Sequence, residues 1–78
     1  MVELMKESII NQYVIYKNPK DMPGKYVTRK WEIWAGGPKP AEAFSADTIK
    51  EARAHVPPGL FNMGRHEKDD PAIYEVWI

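Results

Sequence analysis

Seventy-eight residues with 44% hydrophobic content and a formal net charge of zero make one domain at most. No cysteine is present, which excludes disulfide staples and thiolate metal sites. No apolar run approaches the roughly 20 residues needed to span a bilayer. A chain this short buries only about 60–65% of the surface its unfolded form exposes. Its large aromatics, Trp31, Trp34, Trp77, Phe44 and Phe61, are therefore expected in the core, and a deep substrate pocket would compete for the same volume. That weighs against an enzyme. The opening residues Met1 to Ser8 carry two acids and no continuous apolar block. They read as a frayed tail rather than a signal peptide, and a soluble cytoplasmic protein without a membrane partner is expected.

The first element runs from Ile10 to Lys17. Ile10, Val14 and Tyr16 share one side of an extended chain, and Ile9, Tyr13 and Ile15 share the other, so this strand is expected to be covered on both faces or to lie beside a partner chain. Asn18-Pro19 and Pro23-Gly24 then make a long hairpin loop, the second pair suiting a type II turn with glycine at the positive-φ position. Tyr26 to Trp34 is the best-defined strand. Val27, Trp31 and Ile33 alternate with Thr28, Lys30 and Glu32, the pattern of a half-buried strand without proline, hence central. Ala35 to Pro40 reverses the chain. Pro38 and Pro40 cannot donate to a ladder, so the returning strand, roughly Ala41 to Ala46, is expected to be short and at an edge.

The period then changes from two to about 3.6. Asp47 or Thr48 caps a helix to about Val56, Thr48 and Glu51 fit a capping box, and Ile49, Ala52 and Val56 form the stripe that faces the sheet. Pro57-Pro58-Gly59 ends it. Leu60, Phe61 and Met63 are expected to plug the open end of the core, ahead of an exposed charged loop, Gly64 to Pro71. Ala72 to Ile78 is the last strand. The fold class is α+β, arranged β-β-β-α-β, with an antiparallel or mixed four-stranded sheet in the order 3-2-1-4 and one helix on one face. The direction of the last strand is open. The helix is expected to cover the Trp31 face.

Chemistry-bearing residues are sparse. Ser8, Ser45, Thr28 and Thr48 are the nucleophile candidates, and a tail or helix capping accounts for Ser8, Ser45 and Thr48. No phosphate loop, nucleophile elbow or dinucleotide fingerprint is present. His66, Glu67, Asp69 and Asp70 are metal-ligand types. Their adjacency keeps them from converging unless the loop folds back, and Lys68 sits among them. No cofactor or metal is expected. Glu32 and Glu75 could form a paired acid–base site, but cross-strand pairing with Lys30 or Arg29 accounts for them more simply.

Charge is distributed unevenly. Between Lys17 and Lys39 six basic residues face two acids, and between His66 and Ile78 four acids face one lysine. A binding surface is read on the face opposite the helix, where Tyr13, Lys30, Trp34 and Trp77 interleave aromatic and basic side chains, with Lys20 and Lys25 on the basic hairpin. The leading expectation is a small non-enzymatic protein-interaction module or accessory protein, with another protein or a second copy of itself, as a dimer, for its partner. The alternative is a nucleic-acid-binding accessory protein using the hairpin over residues 17–39.

Tyr13-Val-Ile-Tyr-Lys-Asn-Pro19, Pro23-Gly-Lys-Tyr-Val-Thr-Arg-Lys-Trp31, Gly37-Pro38 and Ile73-Tyr-Glu-Val-Trp-Ile78 together resemble short bacterial and phage-associated open reading frames. The resemblance covers nearly the whole chain after residue 10. It implies a free-standing domain of bacterial or phage origin and carries no activity, cofactor or site residue.

Overall fold

The computed structural model describes residues 10–66 and 70–78. Both the proposed frayed tail and most of the acidic run at 67–69 lie outside the described residues. Four strands, β1 (Ile10–Lys17), β2 (Tyr26–Trp34), β3 (Gly37–Ala46) and β4 (Ile73–Trp77), form one open sheet in the order β3-β2-β1-β4. Every neighbouring pair is antiparallel, which settles the direction of β4. Among the described residues one helix, α1, covers Ile49–Ala54.

The β1–β2 loop closes through chemistry that its residues dictate. Asn18 adopts a left-handed φ of 53°, a conformation asparagine tolerates because its short amide bonds locally. Its Oδ1 accepts from the Gly24 amide at 2.7 Å. Gly24 has φ 80°, and the Lys25 amide donates to the Met22 carbonyl at 3.3 Å, as a type II turn requires.

β3 begins at Gly37 rather than near Ala41, and so is ten residues long. Pro38 pairs with Ile33 and Pro40 with Trp31, and a bulge at the Lys30/Trp31 step absorbs one residue. Edge position reconciles the prolines with a long strand, because an edge strand needs only one row of ladder bonds.

α1 is shorter at its C-terminal end than the Val56 boundary expected. Thr48 is its N-cap, with the Glu51 amide donating to Thr48 Oγ1 at 3.2 Å, half of a capping box. Six residues are too few to be stable alone, so contact with the sheet must hold them. The contacts seen are to Thr28, Ile15 and Ala46 rather than to Trp31. Ala52 is fully buried in a cluster with Ile15 and Ala46, and Tyr26, Ile49, Val56 and Trp77 pack around it. Thr28, read above as an open-face residue, is 0% exposed, and its hydroxyl donates to the Ala52 carbonyl at 2.8 Å. The reason is steric. Thr28, Ala46 and Ala52 are small enough to let helix backbone approach sheet, whereas Trp31 at that position would hold them apart.

The tightest core is accordingly aliphatic. Val14, Ile15, Val27, Ala46 and Ala52 are buried, whereas Trp31, Trp34, Trp77 and Phe44 are half-buried. Phe61 and Met63 do not plug the core. They are 75% and 65% exposed. Their segment instead extends the sheet, since Phe61 and Ile78 exchange both backbone bonds and the Met63 amide donates to the Val76 carbonyl at 2.7 Å.

Candidate functional site

Directly opposed residues of an antiparallel ladder share a face, so register sorts the side chains. One face, named for Thr28, carries Tyr13, Ile15 and Lys17 of β1, Tyr26, Thr28, Lys30, Glu32 and Trp34 of β2, and Glu75 and Trp77 of β4. The other, named for Val14, carries Ile10, Gln12, Val14 and Tyr16, then Val27, Arg29, Trp31 and Ile33, then Ile73 and Val76. Ile78 continues it, with Phe61 opposite Ile78 and Met63 beside Val76.

The Thr28 face mixes aromatic with charged side chains, and its buried carboxylate is paired. Arg53 Nε donates to Glu75 Oε1 at 3.0 Å, and Arg53 Nη2 closes a second bond to Oε2. Trp77 Nε1 donates to the same carboxylate at 3.1 Å. The Arg53 bond above all, with donation from Trp77 and Asn62, holds the Glu75 carboxyl below its ordinary range, while burial works against the shift. Phe44 stacks on the His55 ring at 4.5 Å.

The residues singled out for binding separate in space. Lys30, Tyr13 and Trp77 do form one cross-strand row, because Tyr13 pairs with both of the others. All three are half-buried, and they lie on the face that α1 meets rather than on the face away from it. Trp34 stands at the far end of β2, its Nε1 donating to Glu32 at 3.3 Å and Lys39 lying 5.7 Å over its ring. Lys25 pairs with Asp47. Lys20 sits elsewhere, on the rim of a cleft described below. Glu32 and Glu75 do not form an acid–base pair: Glu75 belongs to Arg53, and Glu32 lies opposite Asn11 and Lys39.

The Val14 face has the opposite character. Its one charged strand residue within β1, β2 and β4 is Arg29, whose Nη2 donates to Asp21 at 2.8 Å and whose guanidinium lies 5.8 Å over Tyr16. Among the described residues six large hydrophobic side chains are exposed, and four of them, Ile10, Phe61, Met63 and Ile78, belong to this face. A soluble monomer seldom groups such residues without use. Near the Lys17 end of β1 an open cleft of about 790 Å³ is lined by Tyr16, Lys17, Arg29 and Trp31 of the sheet, by the loop residues Asn18 to Asp21, and by Asp70, Pro71 and Ala72.

Among the described residues no group of three or more His, Asp or Glu side chains converges as a metal site, and no helix is long and apolar enough to cross a membrane. Comparison with family models, curated proteins and solved structures found no match to this chain.

Sequence reasoning missed Phe61, Met63, Ile78 and Ile10 as surface residues. Alternation in β1 and β4 contains a signal, since Val14, Tyr16, Val76 and Ile78 fall on one side, and the expectation that β1 is covered on both faces or lies beside a partner chain uses only part of it.

Proposed function

We propose that this chain is a small non-enzymatic interaction module that docks a protein on its Val14 face. The carrying observation is the grouping of exposed Ile10, Phe61, Met63 and Ile78 on a sheet face whose strand charge, Arg29, is already paired. In this reading α1 packs on the Thr28 face, and the partner docks over the exposed apolar side chains that flank buried Val14 and Val27 on the other. Apolar area of this kind gains roughly 25 cal/mol per Å² when removed from water. The Thr28 face also carries half-buried Tyr13, Trp34 and Trp77, but Lys30, Glu32 and Glu75 stand among them.

The nucleic-acid reading draws less support. Of the six basic residues between 17 and 39, Lys25 is tied to Asp47 and Arg29 to Asp21, which leaves a weaker field for phosphate.

Two doubly substituted chains test the proposal. Phe61→Ser with Met63→Ser alters the Val14 face, and Lys30→Ser with Trp34→Ser alters the Thr28 face. Immobilised in turn with the parent, the first should lose proteins that the parent retains from lysate, and the second should retain them. Loss confined to the second pair would move the interface to the Thr28 face and overturn the reading.

A further inference from the structure

We infer that the protein seated on the Val14 face is a second copy of this chain, paired face to face about a two-fold axis, with the Phe61–Met63 ridge of each copy in the Tyr16–Trp31 cleft of the other. This rests on the interaction-module reading above.

Self-complementarity is the first argument. An isologous contact needs one surface that carries both a projection and the hollow to receive it. The Val14 face has both. Phe61 and Met63 project along the outer side of β4 at 75% and 65% exposure. The cleft opens near the Lys17 end of β1, where Tyr16, Arg29 and Trp31 form its sheet side and Pro19 its loop side. Ridge and hollow therefore occupy opposite corners. A two-fold axis lying in the interface and passing between them exchanges the two.

Electrostatics permits the pairing. Copies of one chain must not set like charges against each other in a dry interface. Here Arg29 is neutralised within its own chain by Asp21, and the chain as a whole carries no net charge. Tyr16, Trp31, Pro19 and Pro71 give the cleft surfaces suited to a phenyl ring and a thioether, and the charges that rim it are of both signs, Lys17, Lys20 and Arg29 against Asp21 and Asp70.

Area is sufficient. Five strand-like rows spaced about 4.8 Å, each roughly six residues long at about 3.3 Å per residue, span on the order of 500 Å² in projection. Two such faces reach the ~1,000 Å² that a specific interface requires, before counting the ridges. Edge-to-edge growth is the competing mode for sheets, and at β3 it meets Pro38 and Pro40, which lack the amide donors a further strand would use.

Sedimentation of the full chain across the micromolar range, together with cross-linking, tests this. The parent should move from 9.0 kDa to twice that mass as concentration rises. Phe61→Ser with Met63→Ser should weaken the dimer by about tenfold or more while the far-ultraviolet spectrum is retained. Because the chain has no cysteine, Phe61→Cys and Lys20→Cys chains can be mixed and bridged by a short bis-maleimide. The mixed product should exceed either homogeneous one. This reads the same geometry from singly substituted proteins if the double variant does not fold. A parent that stays monomeric, or a dimer indifferent to the ridge with no preference for the mixed product, would overturn the pairing. In the monomeric case, ridge substitution that still abolishes capture of another protein would leave the interaction-module reading standing; substitution without effect on either would remove both.

Discussion

Thr28 shows how one hydroxyl decides where a short helix can sit. The Ala52 carbonyl accepts from the His55 amide at 3.2 Å and from Thr28 Oγ1 at 2.8 Å, which uses both lone pairs of a buried acceptor. Thr28→Val keeps the shape and removes one donor, so it should cost about 1 kcal/mol, read as a lower urea midpoint at unchanged slope. Glu75 acts at the same scale through charge. Its folded-state pKa is lowered, chiefly by Arg53, so the native protein binds the proton more weakly than the unfolded chain. The stabilisation is full above the ordinary carboxylate pKa of about 4.3 and is lost as pH falls through the lower folded value. Glu75→Gln should therefore show less destabilisation by acid than the parent between neutral pH and that range, compared by chemical denaturation at each pH. Arg53 is half exposed, so solvent screening keeps the effect modest.

The β1–β2 loop is the element on which the cleft depends. It is held by the Asn18 side chain, by Gly24 and by the Asp21–Arg29 pair. A Cβ at Gly24 meets nothing within 4 Å, so the cost of Gly24→Ala is conformational: an L-residue forced to φ 80°, about 1 kcal/mol. Expected along with that loss in melting temperature is faster amide exchange at Lys25, whose N–H closes the turn. α1 is the other vulnerable element. Thr48→Ala removes the cap of a six-residue helix and should cost about 1 kcal/mol, with the residue 49–54 amides losing protection before those of β1 and β2.

At the scale of the whole molecule the two faces of one sheet have different tasks. The Thr28 face carries the hydroxyl that bonds the Ala52 carbonyl and the buried Glu75 that pairs with Arg53; the Val14 face carries the exposed Ile10, Phe61, Met63 and Ile78. At concentrations low enough for the parent to be monomeric, Phe61→Ser with Met63→Ser should leave the melting temperature within a degree or two of the parent, since both side chains are largely exposed in the single chain and surface changes seldom exceed ±0.5 kcal/mol. At higher concentration the parent alone should gain stability from pairing. The same variant should bind less of a hydrophobic dye. Trp31→Ala is expected to cost less than the roughly 3–5 kcal/mol of a fully buried tryptophan, because Trp31 is half-buried in the cleft wall. A cost at the top of that range in urea denaturation would place it in the core after all.

Local signals alone located β1, β2 and β4, the helix cap and the Pro23-Gly24 turn, but not the start of β3. Alternation in Tyr26–Trp34 located β2, Thr48 and Glu51 located the start of α1, and Pro23-Gly24 located the turn, because each depends on neighbours within a few residues. The strand order was legible too, since hairpins place successive strands side by side. Alternation also told which side chains share a face: Trp31 with Val27 and Ile33, Thr28 with Lys30. It was silent on which face would receive the helix. That choice depends on how closely two backbones can approach, through Thr28, Ala46 and Ala52, and these residues are brought together only in the folded state. Hydropathy favoured Trp31; steric fit and one hydrogen bond favoured Thr28. Ridge and cleft were hidden for the same reason, because Phe61 and Ile78, or Asp21 and Arg29, become neighbours only when the sheet and its loop close.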